Sequence, residues 1–421
     1  MRSPLSSLLN LGCRLVFVVI GIPVLWVFEA IYPIRIGELL EDRIGHLASN
    51  TELYVRLARQ SAEKPAGKTI FFAWNPANRP LLEIWKRYLP IVENKSARRF
   101  FIACRPFISR TRFYCPLPNI PVIEHEAYLN EPPVIQFTRA EDERGRAGLL
   151  AMGVSPDDWF VCVHARDPSY LAYRKGFGKA ENQSSYLDCS IENYIPAMQW
   201  IAKQGGVAIR VGSHVANALP DCGPRIIDYA KLHRDPFMDI YLSARCRFFL
   251  GNNSGLITVA RIFNVPWAAA NLCPMPWVGK AGWRNMDNPK LLRRNSDGHI
   301  MTFPEIAAMG LLECYGDEPE RLRMLFTPET YEKLGYTWIE NSPEDVLAIC
   351  MDMFDMSEGR PLDSEGLRLQ DAFNRLYTMG YTHLNGGGIS PRFALLHRHL
   401  IEPETTMQSD TPSASAPGGR S

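Results

Sequence analysis

The sequence predicts an α/β protein with two Rossmann-like domains that face each other across a cleft. Apolar strand-like segments alternate with helical segments through the second half of the chain. These segments are apolar along nearly their whole length, which is typical of a parallel sheet covered by helices on both faces. The length of 421 residues allows roughly two to three domains of ordinary size.

The second half contains the clearest alternation. Its predicted strands are WFVCVHARD, VAIRVGS, CRFFLGNNSG and VPWAAANL, and its predicted helices are IENYIPAMQWIAKQGG, DPFMDIYLSA and LITVARIFN. Asp235 and Pro236 are residue types that favour the N-cap and the first position of a helix, so they predict where DPFMDIYLSA begins. NSPEDVLAICMDMFDM predicts a further helix toward the C-terminus.

The first half predicts a second, less regular α/β unit. A partly helical period runs from Arg35 to Gln60 with an interruption at Gly45, and KTIFFAWNPANRP predicts a strand that ends in an Asn-Pro turn. LLEIWKRYLPIV predicts an amphipathic helix closed by Pro90. TRAEDERGRAGLLAMGVSPDD predicts a helix and a linker, which puts the domain boundary near Gly153.

Five regions follow from these patterns. They are a membrane-associated apolar segment (1–34), an N-terminal Rossmann-like domain (35–152), a C-terminal Rossmann-like domain (153–330), C-terminal helices (331–401) and a Ser/Pro/Gly/Thr tail too polar to fold (402–421).

The apolar run LVFVVIGIPVLWVF lies near the N-terminus, from Leu15 to Phe28. A spanning helix needs ~20 apolar residues and a signal-peptide core about 7–15, so this run fits the second length better. However, Arg14 abuts the run, Pro23 interrupts it, and VFEAIYP is a poor cleavage site. Three alternatives remain: an in-plane or re-entrant anchor, a spanning helix over residues 8–30, and a plain buried helix. We expect association with the cytoplasmic face of a membrane.

Charge and cysteine content exclude several classes of function. The chain has 46 basic and 45 acidic residues, which argues against a nucleic-acid partner and leaves any anion to be bound by a few local side chains. Ten cysteines are scattered without a C-x-x-C pair or zinc spacing, which predicts reduced thiols in a reducing compartment and no metal site. No cofactor is expected.

Unusual polar residues follow three predicted strands of the second half, and ligands of open parallel sheets bind beyond the carboxyl ends of strands. The three exits are His164-Ala165-Arg166-Asp167, Arg210 to His214 (RVGSH) with Gly212 and Ser213, and Gly251 to Gly255 (GNNSG). The last leads straight into a predicted helix, so Asn253, Ser254 and Gly255 would present backbone N–H groups and a helix dipole to an anion. The alternative there is an ordinary capped turn.

Arg166 is the best candidate for an anion-binding side chain, because a guanidinium offers forked donors that match phosphate oxygens. The alternative is an ion pair with Asp167 or Asp188 that fixes the loop. His164 is a packed histidine or a contact to a leaving group. Arg210 reaches the same anion or forms a structural salt bridge.

The chain contains no Asp-x-Asp, so the usual carboxylate pair that presents a divalent metal to a sugar-nucleotide diphosphate is missing. An anion held by arginine, backbone and helix dipole suits the departure of a nucleoside diphosphate, since stabilisation is strongest where charge develops.

These motifs carry a family resemblance. VCVHARD, AIRVGS and MDIYLSARCRFFLGNNSG, in this order, resemble the donor half of fucosyltransferase-like glycosyltransferases with the GT-B fold. Together with DRIGHLASNTELY, ENSPEDVLA and GGGISPRF, they make the chain similar, from about Arg43 to Phe393, to a bacterial glycosyltransferase family linked to surface polysaccharide genes. The fucosyltransferase-like His-x-Arg-Arg-x-Asp segment is matched at His164 and Arg166, but Asp167 replaces the second arginine.

The resemblance implies a metal-independent, GT-B-like hexosyl- or deoxyhexosyltransferase. It would bind the nucleotide-diphosphate sugar in residues 153–330, and a glycan or lipid-linked acceptor in residues 35–152 at the inner-membrane surface. The donor phosphates would contact His164, Arg166, Arg210, Gly212, Ser213, Asn253, Ser254 and Gly255. Arg43 and His46 would face the acceptor, and His46 could take the proton of its hydroxyl; both residues could instead cap or pack their helix.

Two other functions remain open. One is a pyruvyl or phosphoryl transferase acting on glycans with the same architecture. The other is a non-catalytic scaffold of polysaccharide assembly at the membrane.

Overall fold

Two separate parallel β-sheets form the framework of the protein in the computed structural model. The structure describes residues 11–31, 34–60, 68–118, 132–169, 185–273, 284–312, 328–377 and 388–403. One sheet has three strands, the other has six, and a two-stranded antiparallel ribbon completes the set. Nearly all of the predicted polar tail (402–421) lies outside the described residues.

The three-stranded sheet belongs to the first half of the chain, and all of its pairings are parallel. Its elements are β1 (Ile34–Glu38), α2 (Ile44–Gln60), β2 (Lys68–Ala73), α3 (Arg79–Trp85), β3 (Ile91–Glu93) and α4 (Lys95–Ile108). Phe71 and Ala73 face α2, while Phe72 faces α4, because successive strand side chains point to opposite sides.

Two sequence predictions for this half were wrong in detail. The segment from Arg35 was predicted as helical, but Ile34–Glu38 pairs with β2 as a strand, and the helix begins only at Ile44. The helix predicted to close at Pro90 ends at Trp85, because Tyr88 N and Leu89 N both donate to Trp85 O and turn the chain into β3. Short strands with one or two apolar residues per face are hard to separate from a helical period.

The six-stranded sheet has the order β6-β5-β4-β7-β8-β9, and every neighbouring pair is parallel. The strands are β4 (Phe160–Val163), β5 (Val207–Arg210), β6 (Ile226–Ile227), β7 (Phe249–Gly251), β8 (Trp267–Leu272) and β9 (Met286–Pro289). All carboxyl ends therefore lie along one edge. The four strands predicted in this half are confirmed.

The prediction missed β6 and β9. The first has only two residues, and the second has the sequence MDNP, which shows no apolar run. Its polar side chains are buried with partners: Asp287 Oδ1 accepts from Trp267 Nε1 at 3.1 Å, and Asn288 Oδ1 accepts from Ser390 N at 2.9 Å.

Helices cover both faces of the large sheet, and further helices pack on these or on the two-stranded ribbon. They are α5 (Arg139–Ala151), α6 (Ile195–Lys203), α7 (Tyr229–Leu232), α8 (Pro236–Arg245), α9 (Gly255–Ile262), α10 (Phe303–Ala308), α11 (Pro328–Lys333), α12 (Pro343–Ser357), α13 (Ser364–Asn374), α14 (Pro391–Leu396) and α15 (Arg398–Ile401), with the ribbon strands β10 (Leu291–Arg294) and β11 (Tyr336–Ile339). The predicted cap of α8 is confirmed, since Asp235 Oδ1 accepts from Phe237 N and Met238 N. The domain boundary near Gly153 stays a prediction.

An interlocked pair of asparagines joins the C-terminal part of the chain to β8. Asn271 N donates to Asn341 Oδ1 at 2.6 Å, and Asn341 N donates to Asn271 Oδ1 at 2.7 Å. Asn271 adopts a positive φ of 58° to make this exchange, at a point where the register of β8 shifts. Helix α12 follows directly and packs Val346, Ile349 and Met353 into the core of the six-stranded sheet.

The N-terminal helix lies against α4. It runs from residue 11 to residue 31, and contains a π-helical segment, Phe17–Gly21, and the α-helix α1 (Ile22–Ile31). Phe17 packs with Phe101, Cys104 and Ile108 of α4. The alternative of a plain buried helix is wrong, because most apolar side chains on its other face are exposed. In the parts of the chain that the structure describes, no helix combines the length and the apolar character that crossing a bilayer requires.

The two halves meet where α2 and α9 begin side by side. A Cβ on Gly255 would lie 2.6 Å from Ile44 Cγ2 and 2.9 Å from Gly45 N, and a Cβ on Gly45 would lie 3.0 Å from Gly255 Cα. Each helix follows the carboxyl end of a parallel strand, β1 in one sheet and β7 in the other. The contact therefore brings the carboxyl edges of both sheets together.

The Gly255→Ala variant tests this contact. The new methyl group would meet backbone atoms of Gly45 that cannot move aside, so we expect a loss of ~1–3 kcal/mol in the free energy of unfolding. Urea unfolding followed by tryptophan fluorescence measures it. The control is Gly12→Ala in the N-terminal helix, where an added Cβ meets nothing within 4 Å. Equal urea midpoints for Gly255→Ala and the wild type would show that the helices are not in contact.

Candidate functional site

His164 lies at the centre of the strand exits. Its backbone N–H donates to Leu250 O, and its Nδ1 lies 2.9 Å from Val211 O, so exits β4, β5 and β7 are tied together. A carbonyl can only accept, so Nδ1 carries the proton and Nε2 has the lone pair. Burial, with a smaller contribution from the nearby Arg210 and Arg166, lowers the pKa of His164 to about 4. The ring is therefore neutral at pH 7. Of the two alternatives for His164, a packed histidine or a contact to a leaving group, these contacts match the first.

Arg166 pairs with Asp188, as one alternative predicted, and Lys290 joins them. Arg166 Nε lies 3.1 Å from Asp188 Oδ1, and Lys290 Nζ donates to the backbone Asp188 O at 2.7 Å. Within the described chain, neither Arg166 Nε nor Asp188 Oδ1 makes a hydrogen bond of good geometry, although both atoms are buried. The guanidinium is held close to the carboxyl group without being fully engaged by it.

The charges of this cluster do not balance. Burial raises the pKa of Asp188 to about 6, although Arg166 and Lys290 both oppose that rise. Lys290 is only 3% exposed and follows β9 directly. Two cations therefore face one carboxyl group whose ionisation burial disfavours. Lys290 was not predicted as a site residue, because it follows a polar strand that no apolar pattern reveals.

Asn252 holds the loop that carries Arg166. Its Oδ1 accepts from Arg166 N at 3.2 Å, while its Nδ2 donates to Leu187 O at 2.8 Å and to Cys189 Sγ at 3.2 Å. The side chain is completely buried. The predicted site residues of the GNNSG segment were the three after Asn252. The Asn252 side chain, which was not predicted, is the one that joins the exits of β4 and β7 to residues 187–189.

The residues after Asn252 have structural partners of their own. Asn253 exchanges two hydrogen bonds with the backbone of Cys273, with its Nδ2 donating to O and its Oδ1 accepting from N. Ser254 is the N-cap of α9, and its Oγ accepts from Ile257 N at 3.5 Å. Gly255 allows the contact with Gly45. Phosphate binding by this turn stays a prediction.

A buried ion pair holds the chain in place at the second strand exit, after β5. Arg210 is 2% exposed; its Nη1 donates to Asn217 O at 2.7 Å and lies 3.3 Å from Asp228 Oδ2. This arrangement matches the structural salt bridge of the two alternatives for Arg210. The Gly212 backbone packs on the His164 ring, where an added Cβ would lie 3.5 Å from Nδ1. Ser213 Oγ lies 3.1 Å from His214 Nδ1.

Asp167 joins two exits instead of pairing with Arg166. Its carboxylate accepts from Ser169 N and Ala216 N, each at 2.8 Å. Burial alone would raise the pKa of Asp167, but these hydrogen bonds outweigh burial and hold the pKa below its ordinary value. The predicted alternative of an Arg166–Asp167 ion pair is therefore wrong.

His46 lies on the other side of the contact between α2 and α9, one residue from Gly45. Its Nδ1 lies 3.0 Å from Asn50 Oδ1, and Asn50 Nδ2 donates to Pro118 O at 2.8 Å. Because the amide nitrogen of Asn50 is used by Pro118, its oxygen accepts from His46 Nδ1 and leaves Nε2 with a lone pair. Arg43 is exposed just before the helix. The fold thus brings Arg43 and His46 close to the GNNSG turn.

A metal site was not expected, and that expectation stays a prediction. Across the residues that the structure describes, no three His, Cys, Asp or Glu side chains are grouped so as to hold a metal ion.

No protein-family model matches the chain, and no curated protein sequence matches it. Among solved structures, it is similar to E. coli ADP-heptose LPS heptosyltransferase II, at 14% identity over 56% of this chain and 84% of that one, with a TM-score of 0.38. It is similar to a family 9 glycosyltransferase from Veillonella parvula, at 13% identity over 58% and 82%, with a TM-score of 0.37.

It is also similar to the iron-containing dodecameric glycosyltransferase TibC from enterotoxigenic E. coli, at 14% identity over 57% of each chain, with a TM-score of 0.30. At TM-scores this low, a likeness carries no argument about fold or function. None of the three is named as a fucosyltransferase, so they lend no support to the fucosyltransferase-like resemblance.

Asp188→Asn tests the charge of the site through the pH dependence of stability. The folded-state pKa of about 6 lies above the value of about 3.9 for an unfolded chain. The stability that this proton contributes is complete below about pH 4 and is lost as pH rises through about 6. Between about pH 4 and 7, the free energy of unfolding of the wild type should fall by roughly 1–3 kcal/mol relative to that of Asp188→Asn. Urea unfolding at each pH measures it.

Asp158→Asn is the control of opposite sign. A hydrogen bond from Ser155 N and the nearby Arg225 hold the pKa of Asp158 below its ordinary value. The stability that the Asp158 carboxylate contributes is present above its unfolded pKa and is lost as pH falls through the lower folded pKa. The difference in free energy of unfolding between the wild type and Asp158→Asn should therefore change only below about pH 4. If the difference in free energy of unfolding between the wild type and Asp188→Asn stayed constant from about pH 4 to 7, that result would contradict the raised pKa of Asp188.

Proposed function

We propose that the protein is a glycosyltransferase of GT-B type that transfers a sugar from a nucleotide-diphosphate donor to a glycan or lipid-linked acceptor. Surface polysaccharide synthesis at the cytoplasmic face of the inner membrane is the proposed setting. One observation carries the proposal: Arg166 lies against the carboxyl group of Asp188 and Lys290 Nζ against the backbone carbonyl of the same residue, so two cations share one carboxyl group, whose pKa burial raises to about 6. Such a cluster, at the carboxyl edge of a parallel sheet, attracts a small polyanion.

A diphosphate suits this cluster better than a single carboxylate does. Arg166 offers forked donors, and Lys290, on the backbone carbonyl of Asp188, adds a second positive charge. The start of α9 contributes backbone N–H groups and the positive end of its dipole. Three separate sources of positive potential match an anion with several oxygens.

The proposed reaction is a direct displacement. The acceptor hydroxyl oxygen bonds to the anomeric carbon of the donor, while the bond from that carbon to the β-phosphate oxygen breaks. The bonding electron pair leaves on the nucleoside diphosphate, whose developing charge Arg166 and Lys290 stabilise. The hydroxyl proton goes to His46 Nε2, the ring nitrogen that the Asn50 contact leaves with a lone pair.

A thermal-shift panel tests the donor site. The ligands are ADP, GDP, UDP, dTDP, CMP and phosphoenolpyruvate, since a ligand of the folded state raises the melting temperature with concentration. We expect one nucleoside diphosphate to raise the melting temperature of the wild type, with or without chelator. Arg166→Ala and Lys290→Met should each weaken that binding at least about tenfold.

Arg375→Ala is the matched control, because this exposed arginine forms an ion pair with Asp371, one turn away on α13. It should bind the nucleotide as the wild type does. Equal shifts in Arg166→Ala and the wild type would overturn the site assignment. A shift with phosphoenolpyruvate alone would favour a pyruvyl transferase, and no shift with any ligand would favour the scaffold.

His46→Ala tests the proton acceptor. Removing a general base costs about 10²–10⁴-fold in rate, while the donor should bind unchanged because His46 does not contact the cation cluster. The assay is release of the nucleoside diphosphate from its sugar nucleotide in the presence of a cell lipid extract. His299→Ala is the control, since this histidine pairs with Glu305 in the first turn of α10. A His46→Ala enzyme with normal turnover would exclude the assigned role.

A further inference from the structure

The N-terminal helix has two apolar faces, and α4 covers only one of them. Phe17 is buried against α4, and Arg14 Nε donates to Ala103 O at 3.0 Å, so this face is fixed to the protein. The other face is exposed and carries Leu15, Val16, Val19, Ile20, Val24 and Val27, each between 44 and 66% exposed. An apolar surface of this size usually marks an interaction site.

The apolar surface continues onto α4. Phe100 and Ile102 are exposed on that helix, and the Phe100 ring lies 6.2 Å from the Phe17 ring between centroids. We call the exposed side of residues 11–27 together with α4 and residues 109–113 the N-terminal face. Its apolar part is about 20 Å long, from the rise of a helix over residues 15–27.

Cations border this apolar surface. The sequence from Asn94 to Pro118 contains Lys95, Arg98, Arg99, Arg105, Arg110 and Arg112, with no aspartate or glutamate. Arg98 pairs with Glu41, and Arg105 pairs with Glu38. Lys95, Arg99, Arg110 and Arg112 are exposed.

Trp26 and Arg112 mark the edge between the apolar and charged zones. The Arg112 guanidinium carbon lies 4.0 Å from the centroid of the Trp26 ring, which is itself half exposed. Tryptophan and arginine are enriched at membrane–water interfaces, where an apolar ring and a charged tip meet different surroundings.

We propose that the N-terminal face docks on an anionic lipid bilayer, with the helix of residues 11–27 lying in the plane of the interface. Its exposed aliphatic side chains enter the boundary of the acyl chains, and Arg99, Arg110 and Arg112 reach the phosphates of the headgroups. Charge complementarity selects this partner over a second copy of the chain, because two N-terminal faces would bring their cations together.

The sheet topology gives the docking a direction. Helix α4 packs on the Phe72 side of the three-stranded sheet, whereas α2 and α9 meet on the Phe71 side. The N-terminal sheet would therefore lie between the bilayer and the cation cluster. This inference does not depend on the proposed function, although it suits an acceptor that is lipid-linked.

Vesicle co-sedimentation of the full chain tests the proposal. We expect binding to vesicles of phosphatidylcholine with phosphatidylglycerol at least about tenfold stronger than to phosphatidylcholine alone, and weaker as salt rises. Leu15→Asp with Val19→Asp, and separately Arg99→Glu with Arg110→Glu, should each reduce binding about tenfold or more. These side chains are exposed, so circular dichroism and melting temperature should stay at wild-type values.

Leu232→Asp with Leu396→Asp is the control, because both leucines are more than half exposed but lie outside the N-terminal face. It should bind vesicles as the wild type does. Wild-type protein that ignores anionic vesicles, or a Leu15/Val19 variant that binds them normally, would overturn the proposal. A wild-type dimer that dissociates in the Leu15/Val19 variant, with no vesicle binding by either protein, would also overturn it. The nucleotide shift, measured on the same samples, reports the donor site separately.

Discussion

The contact between Gly45 and Gly255 is the constraint on which the arrangement of the site depends. Two helices can begin side by side at this distance only when neither carries a side chain at the point of contact. Because each helix follows the carboxyl end of a parallel strand, this one approach aligns the carboxyl edges of two sheets that have no strand pairing with each other. His46 and the cation cluster both lie near this contact, although they are far apart in the sequence.

Around this contact, buried amides fix the loops before any ligand arrives. Asn252 uses both ends of its side chain to join three segments, and Asn253 does the same between two strands. Holding polar groups in place in advance lowers the reorganisation that a charged transition state would otherwise require. The charges are unbalanced at Asp188, where two cations, Arg166 and Lys290, lie beside one carboxyl group whose pKa burial raises to about 6.

Sequence patterns predicted those parts of the fold that have a strong local signal. Apolar strands such as β4 and β8 were found because they are buried on both faces, and the α8 cap was found because Asp-Pro has a clear local meaning. Strand β9 and Lys290 were missed, since their burial depends on partners such as Ser390 and Asp188, distant in sequence. For Arg166 the sequence named Asp188 as a possible partner but could not choose it over Asp167, because that choice depends on loop geometry.

The position of α12 in the core has a consequence for biosynthesis. One face of the six-stranded sheet is covered by α6 and by side chains of Pro343–Ser357, and the second of these helices follows roughly 50 residues after the last strand of that sheet. At about 5–20 residues per second, translation leaves the part of that face under α12 uncovered for several seconds. The nascent chain would then be a client for chaperones until the ribosome has released α12, and a message truncated before that helix would yield an aggregating product.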